Sequence, residues 1–147
     1  MVTLLEKTDA IQYVLDNDDS FMLHIVNCQG VMGSGIADQV RQRVPRAYKS
    51  YMDAYETDKL QLGCVTGRDG VLNLAAQDKY GRDRRHLNYG ALSECLVCVG
   101  QAFGFDAPIV IPYMMGCDRA GGDWEVVLEM VTYYFDDVTI CALGSLK

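Results

Sequence analysis

Two short apolar runs, Phe21-Met-Leu-His-Ile-Val26 and Ile109-Val-Ile111, each break into a glycine-rich stretch and then into a helical pattern. An uninterrupted apolar run is what a strand buried on both faces looks like. Strand–loop–helix units of this kind are the signature of an α/β fold. The first loop reads Asn27-Cys-Gln-Gly-Val-Met-Gly-Ser-Gly35, and the second, residues 112–123, contains Gly116, Gly121 and Gly122. Glycine lets the backbone adopt positive φ and approach a ligand closely. The helix that follows presents unpaired N–H groups and partial positive charge. In open α/β sheets ligands bind beyond the carboxyl ends of the strands, so two such loops side by side would clamp a diphosphate. Plain turn chemistry accounts for either loop taken alone. No Gly-Lys-Ser/Thr occurs, and the spacing Gly30…Gly33…Gly35 is not that of Gly-x-Gly-x-x-Gly, so the known phosphate-loop fingerprints are excluded.

The pattern elsewhere supports the same class. Residues 2–5, 60–66, 70–76 and 138–143 read as further strands, and 10–16, 36–44, 46–55, 87–103 and 124–135 as helices. Thr8-Asp9 precedes the first helix as a cap, Gly104 closes the helix over 87–103, and Gly67-Arg-Asp-Gly70 has hairpin chemistry. Residues 78–86 form a polar loop. At 147 residues with half of them hydrophobic, one domain over 1–147 is expected. A net charge of −7 argues against strong nucleic-acid binding through phosphates, though not against a small anion held by backbone amides. No apolar run reaches a membrane span. The start, MVTLLEKTDAIQ, lacks a secretory pattern. The six cysteines are scattered, so a reducing, cytoplasmic location is expected.

His24-Ile-Val-Asn-Cys-Gln-Gly-Val-Met-Gly-Ser-Gly-Ile-Ala37 closely resembles the first ligand loop of macro domains. The similar branch contains terminal ADP-ribose–protein glycohydrolases, the yeast-type ADP-ribose 1''-phosphate phosphatase and DNA-ADP-ribose-removing antitoxins. Met115-Gly-Cys-Asp-Arg-Ala-Gly-Gly-Asp-Trp-Glu125 resembles the second loop of that branch, and the likeness runs from about Leu5 to Leu143. It implies a three-layer α/β/α fold with a mixed central sheet and a cleft for ADP-ribose or a derivative.

The resemblance then assigns roles residue by residue. Asp9 with Ala10 matches the segment whose carboxylate accepts from the adenine amino group; helix capping is the alternative the residues leave open. Asn27 matches the polar residue at the distal ribose, with local turn bonding as its alternative. Gly30, Val31, Met32, Gly33, Ser34, Gly35 and Ile36 match the loop around the distal phosphate and ribose. Met115, Gly116, Cys117, Asp118, Arg119 and Ala120 match the loop around the diphosphate. Leu143 matches an apolar contact to adenine, or is an ordinary core leucine.

Two departures bear on the chemistry. Gln77 stands where glycohydrolases of the branch carry a lysine, and an amide forms no Schiff base and is no general base near pH 7. Lys79 lies two residues on. The glycohydrolase aspartate of the second loop has Ala120 as its counterpart, with Asp118 two positions earlier. The phosphatase member's first loop is close to His24-Ile-Val-Asn-Cys-Gln-Gly30. The favoured expectation is therefore hydrolysis of ADP-ribose 1''-phosphate. His24 is the candidate acid or base, with a hydrogen-bonded core histidine as the competing reading, and Asp118 and Gln77 are the other catalytic candidates. The alternatives are a glycohydrolase acting on ADP-ribosylated protein or nucleic acid, and a non-catalytic reader. No cofactor, metal cluster or membrane partner is expected.

Three further patterns read as structural. Cys95-Leu-Val-Cys98 lies mid-helix without a second pair at zinc spacing, so two buried thiols are expected. Tyr48, Tyr51 and Tyr55 form one packed helical face. The run Arg82-Asp-Arg-Arg-His86 is a solvated loop or, alternatively, an anion contact.

Overall fold

The computed structural model describes residues 1–80, 84–117 and 120–146. Among them six strands and five helices follow in the order β1 (Val2–Leu5), α1 (Ala10–Asp16), β2 (Phe21–Asn27), α2 (Gly35–Arg43), α3 (Pro45–Glu56), β3 (Val65–Arg68), β4 (Val71–Gln77), α4 (Tyr89–Phe103), β5 (Ile109–Pro112), α5 (Trp124–Tyr134) and β6 (Val138–Cys141). The strands form one sheet ordered β1-β6-β5-β2-β4-β3. Every neighbouring pair is parallel except β3, which is antiparallel to β4.

Helices cover both faces, giving the expected three-layer α/β/α arrangement on a mixed sheet. On one side Ile11, Val14, Val40, Ala47 and Tyr51 of α1–α3 pack on Met22, Val26, Val71, Ala75 and Val110. On the other, Leu92, Leu96 and Val99 of α4 and Val127 and Val131 of α5 pack on Leu23, Leu72, Leu74, Ile109 and Ile111. Successive strand residues point to opposite faces, so covering both demands the largely apolar β2 and β4, whose inner polar residues His24 and Asn73 bond to each other. Leu23, Met22, Leu74 and Ile111 are all fully buried. At about 25 cal/mol per Å², such side chains contribute roughly 2 kcal/mol each. Among the described residues no helix is long and apolar enough to cross a membrane.

Most boundaries shift by one or two residues, and the strand expected over 60–66 shifts most. The strand expected over 60–66 is Val65–Arg68, because Leu60 and Cys64 pack against the α1–α3 side from an irregular segment. The helix expected from Leu87 starts at Tyr89: Asn88 is its cap, accepting from the Ala91 amide at 2.9 Å, and Leu87 pairs with Gln77 in an isolated bridge. The hairpin turns at Asp69-Gly70, whose φ values of 56° and 80° give the left-handed pair that a two-residue turn requires.

The feature that positions a site is a reversal. β2 and β5 are parallel neighbours. The chain leaving β2 runs to α2 on the α1–α3 face, whereas the chain leaving β5 runs to α5 on the opposite face. A crevice opens where neighbouring connections part in this way.

Candidate functional site

Both glycine-rich loops start at this crevice. In the first, the side chain of Asn27 organises the turn: its oxygen accepts from the Gln29 amide at 2.9 Å, and its nitrogen donates to the Val31 carbonyl at 2.8 Å. Tyr51 of α3 fastens the same turn. Its hydroxyl lies 2.8 Å from the Asn27 carbonyl and 2.9 Å from the Asn27 side-chain oxygen, and accepts the Val31 amide at 3.1 Å. Burial pushes the Tyr51 hydroxyl up to about 12, so it stays a donor at neutral pH. Gly30 has φ 77°, and a Cβ there would lie 2.7 Å from the Tyr55 ring, so only glycine fits without a shift. Met32 is buried and pins the loop, while Val31, Gly33, Ser34 and Gly35 face solvent. Ser34 caps α2 without a side-chain bond, and the first intrahelical bond runs from the Asp38 amide to the Ser34 carbonyl. The amides of Gly35, Ile36 and Ala37 therefore have no intrahelical acceptor, which is the arrangement that suits an anion.

The second loop is shaped by the absence of side chains. The Gly122 amide donates to the Gly116 carbonyl at 3.0 Å, folding the loop onto itself. A Cβ at Gly122 would meet Leu87 at 2.4 Å and the Gly116 carbonyl at 2.8 Å. Met115 and Ala120 are buried, and Cys117 is half-buried. Asp123 then caps α5, accepting the Glu125 amide at 2.9 Å. Asp118 and Arg119 lie outside the described residues.

The remaining candidates flank the two loops along the same sheet edge. Asp9 follows β1. It caps α1 through the amides of Ile11 and Gln12, at 2.9 and 3.1 Å, and its second oxygen accepts from Arg43 at 2.7 Å. Burial raises its carboxyl, but the Arg43 bond and the two amides outweigh that and hold it below the usual range. Leu143, just past β6, is 80% exposed, which excludes the ordinary core role and leaves it available to a ligand. Ala10, by contrast, is buried in the α1 side of the core. Gln77 ends β4 in register with Asn27, past a bulge at Ala76 of β4, and its amide donates to the Lys79 carbonyl. The candidates thus run in the order Asp9, Leu143, second loop, first loop, Gln77 across five strand ends, a span of roughly 19 Å at the spacing of neighbouring strands.

His24 is elsewhere. It is fully buried in the middle of β2, opposite Asn73 of β4, with its Nε2 2.6 Å from the Asn73 side-chain oxygen. The Asn73 amide nitrogen donates to Ala47 and Thr66, so the ring must be the donor to the oxygen. The Nδ1 atom is left an acceptor without a partner. Burial drives His24 down to about 4, which makes it neutral at pH 7.

No protein-family model matches the chain, and no curated protein matches it by sequence. Solved structures do. A Bacteroides thetaiotaomicron protein of unknown function superposes with a TM-score of 0.81 at 21% identity, over 97% of this chain and 98% of that one. The macrodomain of Mycobacterium tuberculosis DarG gives a TM-score of 0.73 at 23% identity, over 96% and 97%. Thermosipho africanus DarTG, solved in complex with ADP-ribose, gives 0.68 at 18% identity, over 88% of this chain and 39% of that one. The chain has the macrodomain fold.

Within this fold four contributors escaped the sequence reading. Tyr51 packs as expected, but its hydroxyl ties the first loop. Arg43 holds Asp9. Asp78 and His86 bond to each other between the loops. The cysteine pattern needs one correction: Cys95 is buried but Cys98, at the edge of the buried face of α4, is exposed. All six thiols are free. Burial raises Cys28, and Cys117 to about 11, so neither is a thiolate at neutral pH.

Proposed function

We propose that residues 1–147 act as one macro domain that binds ADP-ribose or a close derivative in the crevice between β2 and β5. The observation that carries this is the pair of glycine loops at the ends of two parallel neighbours whose connections leave on opposite faces. The second loop and the α2 N-terminus would bracket the diphosphate through backbone amides, adenine would lie towards Asp9 and Leu143, and the distal ribose towards Asn27 and Gln77. The strand order of those residues matches the order of the ligand's parts. ADP-ribose in the structure of a protein with the same fold supports the ligand class.

The reaction we favour is hydrolysis of ADP-ribose 1''-phosphate to ADP-ribose and phosphate. It suits a site that ends in an amide, Gln77, which can position a substrate but supplies no amine nucleophile. Catalysis would rest on positioning and on electrostatic stabilisation by fixed amides. Gln77 and Asp118 are the residues proposed from sequence to take part, whereas His24 is enclosed in mid-strand against Asn73, out of reach of a ligand.

Calorimetry with ADP-ribose tests the ligand. Phosphate release from ADP-ribose 1''-phosphate tests the reaction, and loss of label from ADP-ribosylated glutamate or DNA tests the glycohydrolase alternative. Binding with no turnover in either assay makes the protein a reader. No measurable binding of ADP-ribose refutes the proposal as a whole.

A further inference from the structure

A polar cavity of about 310 Å³ starts at Asp78, the residue after Gln77, and is also lined by Arg84, Arg85, Asn88 and Tyr89. Its walls are tied to both ligand loops. The Tyr80 amide donates to the Gln29 side chain of the first loop at 3.0 Å. The His86 amide donates to the Ala120 carbonyl of the second loop at 2.9 Å, and a Cβ at Gly121 would lie 3.1 Å from the Arg85 Cα. The cavity therefore flanks the site at the end where the distal ribose is placed. Its two cations differ. Arg84 is committed, donating to Asp78 at 2.9 Å and to the Arg85 carbonyl at 3.1 Å. Arg85 lies over the Tyr89 ring, 4.7 Å from its centroid, and among the described residues no carboxylate pairs with it. The ring that carries it is itself fixed, since the Asp123 amide donates to the Tyr89 hydroxyl at 2.9 Å. A guanidinium stacked by its face keeps its edge N–H groups for an acceptor.

We propose that this cavity is a phosphate subsite. It takes the 1''-phosphate of the substrate, with Arg85 as the forked donor to its oxygens and Arg84 cancelling the charge of Asp78. The inference takes its ligand from the phosphatase reading above and so rests on it. A phosphate monoester carries close to two negative charges at pH 7 and offers three strong acceptor oxygens. In a chain of net charge −7, a further dianion needs a cation close by. The backbone amides of the two loops are already given to the diphosphate. Arginine meets phosphate through two parallel bonds, which adds geometric selection to charge. Of the basic run over 82–86, Arg85 is thus the anion contact. The same contact separates substrate from product: ADP-ribose lacks the group that Arg85 binds, so the subsite favours the ester and lets the product go.

The test compares ADP-ribose with ADP-ribose 1''-phosphate on the full chain. Arg85 is exposed, so Arg85→Ala should fold, which circular dichroism checks. That variant should lower kcat/KM for phosphate release by about tenfold or more, the weight of charge-assisted bonds to one anion. Its affinity for ADP-ribose in calorimetry should stay within about threefold, because the product lacks the group removed. Arg85→Lys keeps the charge without the fork and should recover part of the loss. Tyr89→Leu removes the ring beneath the guanidinium and should lower kcat/KM by a smaller factor, roughly threefold. Phosphate release by the wild type with unchanged kcat/KM in folded Arg85→Ala overturns the subsite alone. If the wild type releases no phosphate, the ester itself serves as a stable ligand. Tighter binding of the ester than of ADP-ribose, lost in Arg85→Ala, then upholds the subsite and refutes the phosphatase reading. Equal binding of the two ligands overturns both.

Discussion

The two glycine loops follow neighbouring parallel strands yet are held by opposite means. The first is tied from beneath by side chains: Tyr51 reaches up from α3 to Asn27 and Val31, and Asn27 bonds back to Gln29 and Val31. The second is tied by close backbone approach, with Gly122 against Gly116 and both stacked over Leu87. The first loop should therefore suffer when atoms are removed, and the second when they are added. This also locates the rigidity of each half of the crevice. The half beside α2 borrows it from a buried tyrosine, and the half beside α5 from a tight turn.

The largest expected effect is at the second loop. Gly122→Ala places a methyl group 2.8 Å from a backbone oxygen that has no room to retreat, and should cost about 3 kcal/mol, the upper part of the range for overpacking. Urea unfolding checks it, and a loss below about 0.5 kcal/mol would mean the loop is looser than described. Acid comes next and acts beneath the first loop. His24 is neutral in the fold, near 4, against 6.5 when exposed. The unfolded chain therefore binds the extra proton between those values. Stability is full above pH 6.5 and should fall as pH drops towards 4, by roughly 2–3 kcal/mol. His24→Gln should flatten that part of the stability–pH curve.

Tyr51→Phe keeps the ring but strands the Val31 amide, so it should cost about 2 kcal/mol and weaken ADP-ribose binding while leaving the second loop intact. Equal loss on Gly122→Ala and Tyr51→Phe, with identical effects on binding, would erase the distinction between the loops. The smallest effect is at Asp9. Asp9→Asn retains the cap but loses the partly exposed pair with Arg43, worth about 0.5 kcal/mol. Thermal melting at low and high salt reads it, since the wild-type advantage should shrink as salt rises.

How much of this the sequence disclosed depends on whether the information was local. β2 and β5 announce themselves because burial on both faces leaves them almost wholly apolar, with His24 the one polar residue inside the run. The Asp69-Gly70 turn is equally plain, since few residue pairs accept two positive φ values. Leu60 and Cys64 misled because they are apolar yet pack outside any strand. Leu87 misled because it continues the helical spacing of α4, though Asn88 caps the helix after it. The Tyr51 hydroxyl meets Asn27 across 24 residues of chain, which no spacing rule encodes. The Asp78–His86 pair lies in a loop without periodicity. His24 illustrates the converse: its place in an apolar run signalled burial, and the resemblance to a family motif pulled the reading towards catalysis.

A structure of the protein soaked with ADP-ribose tests the central claim most directly. The account predicts diphosphate oxygens within hydrogen-bond distance of main-chain amides at the α2 N-terminus and in the second loop, with adenine towards Leu143 and the distal ribose towards Asn27. An unoccupied crevice at saturating nucleotide, or a diphosphate gripped by arginine side chains away from both loops, would contradict it.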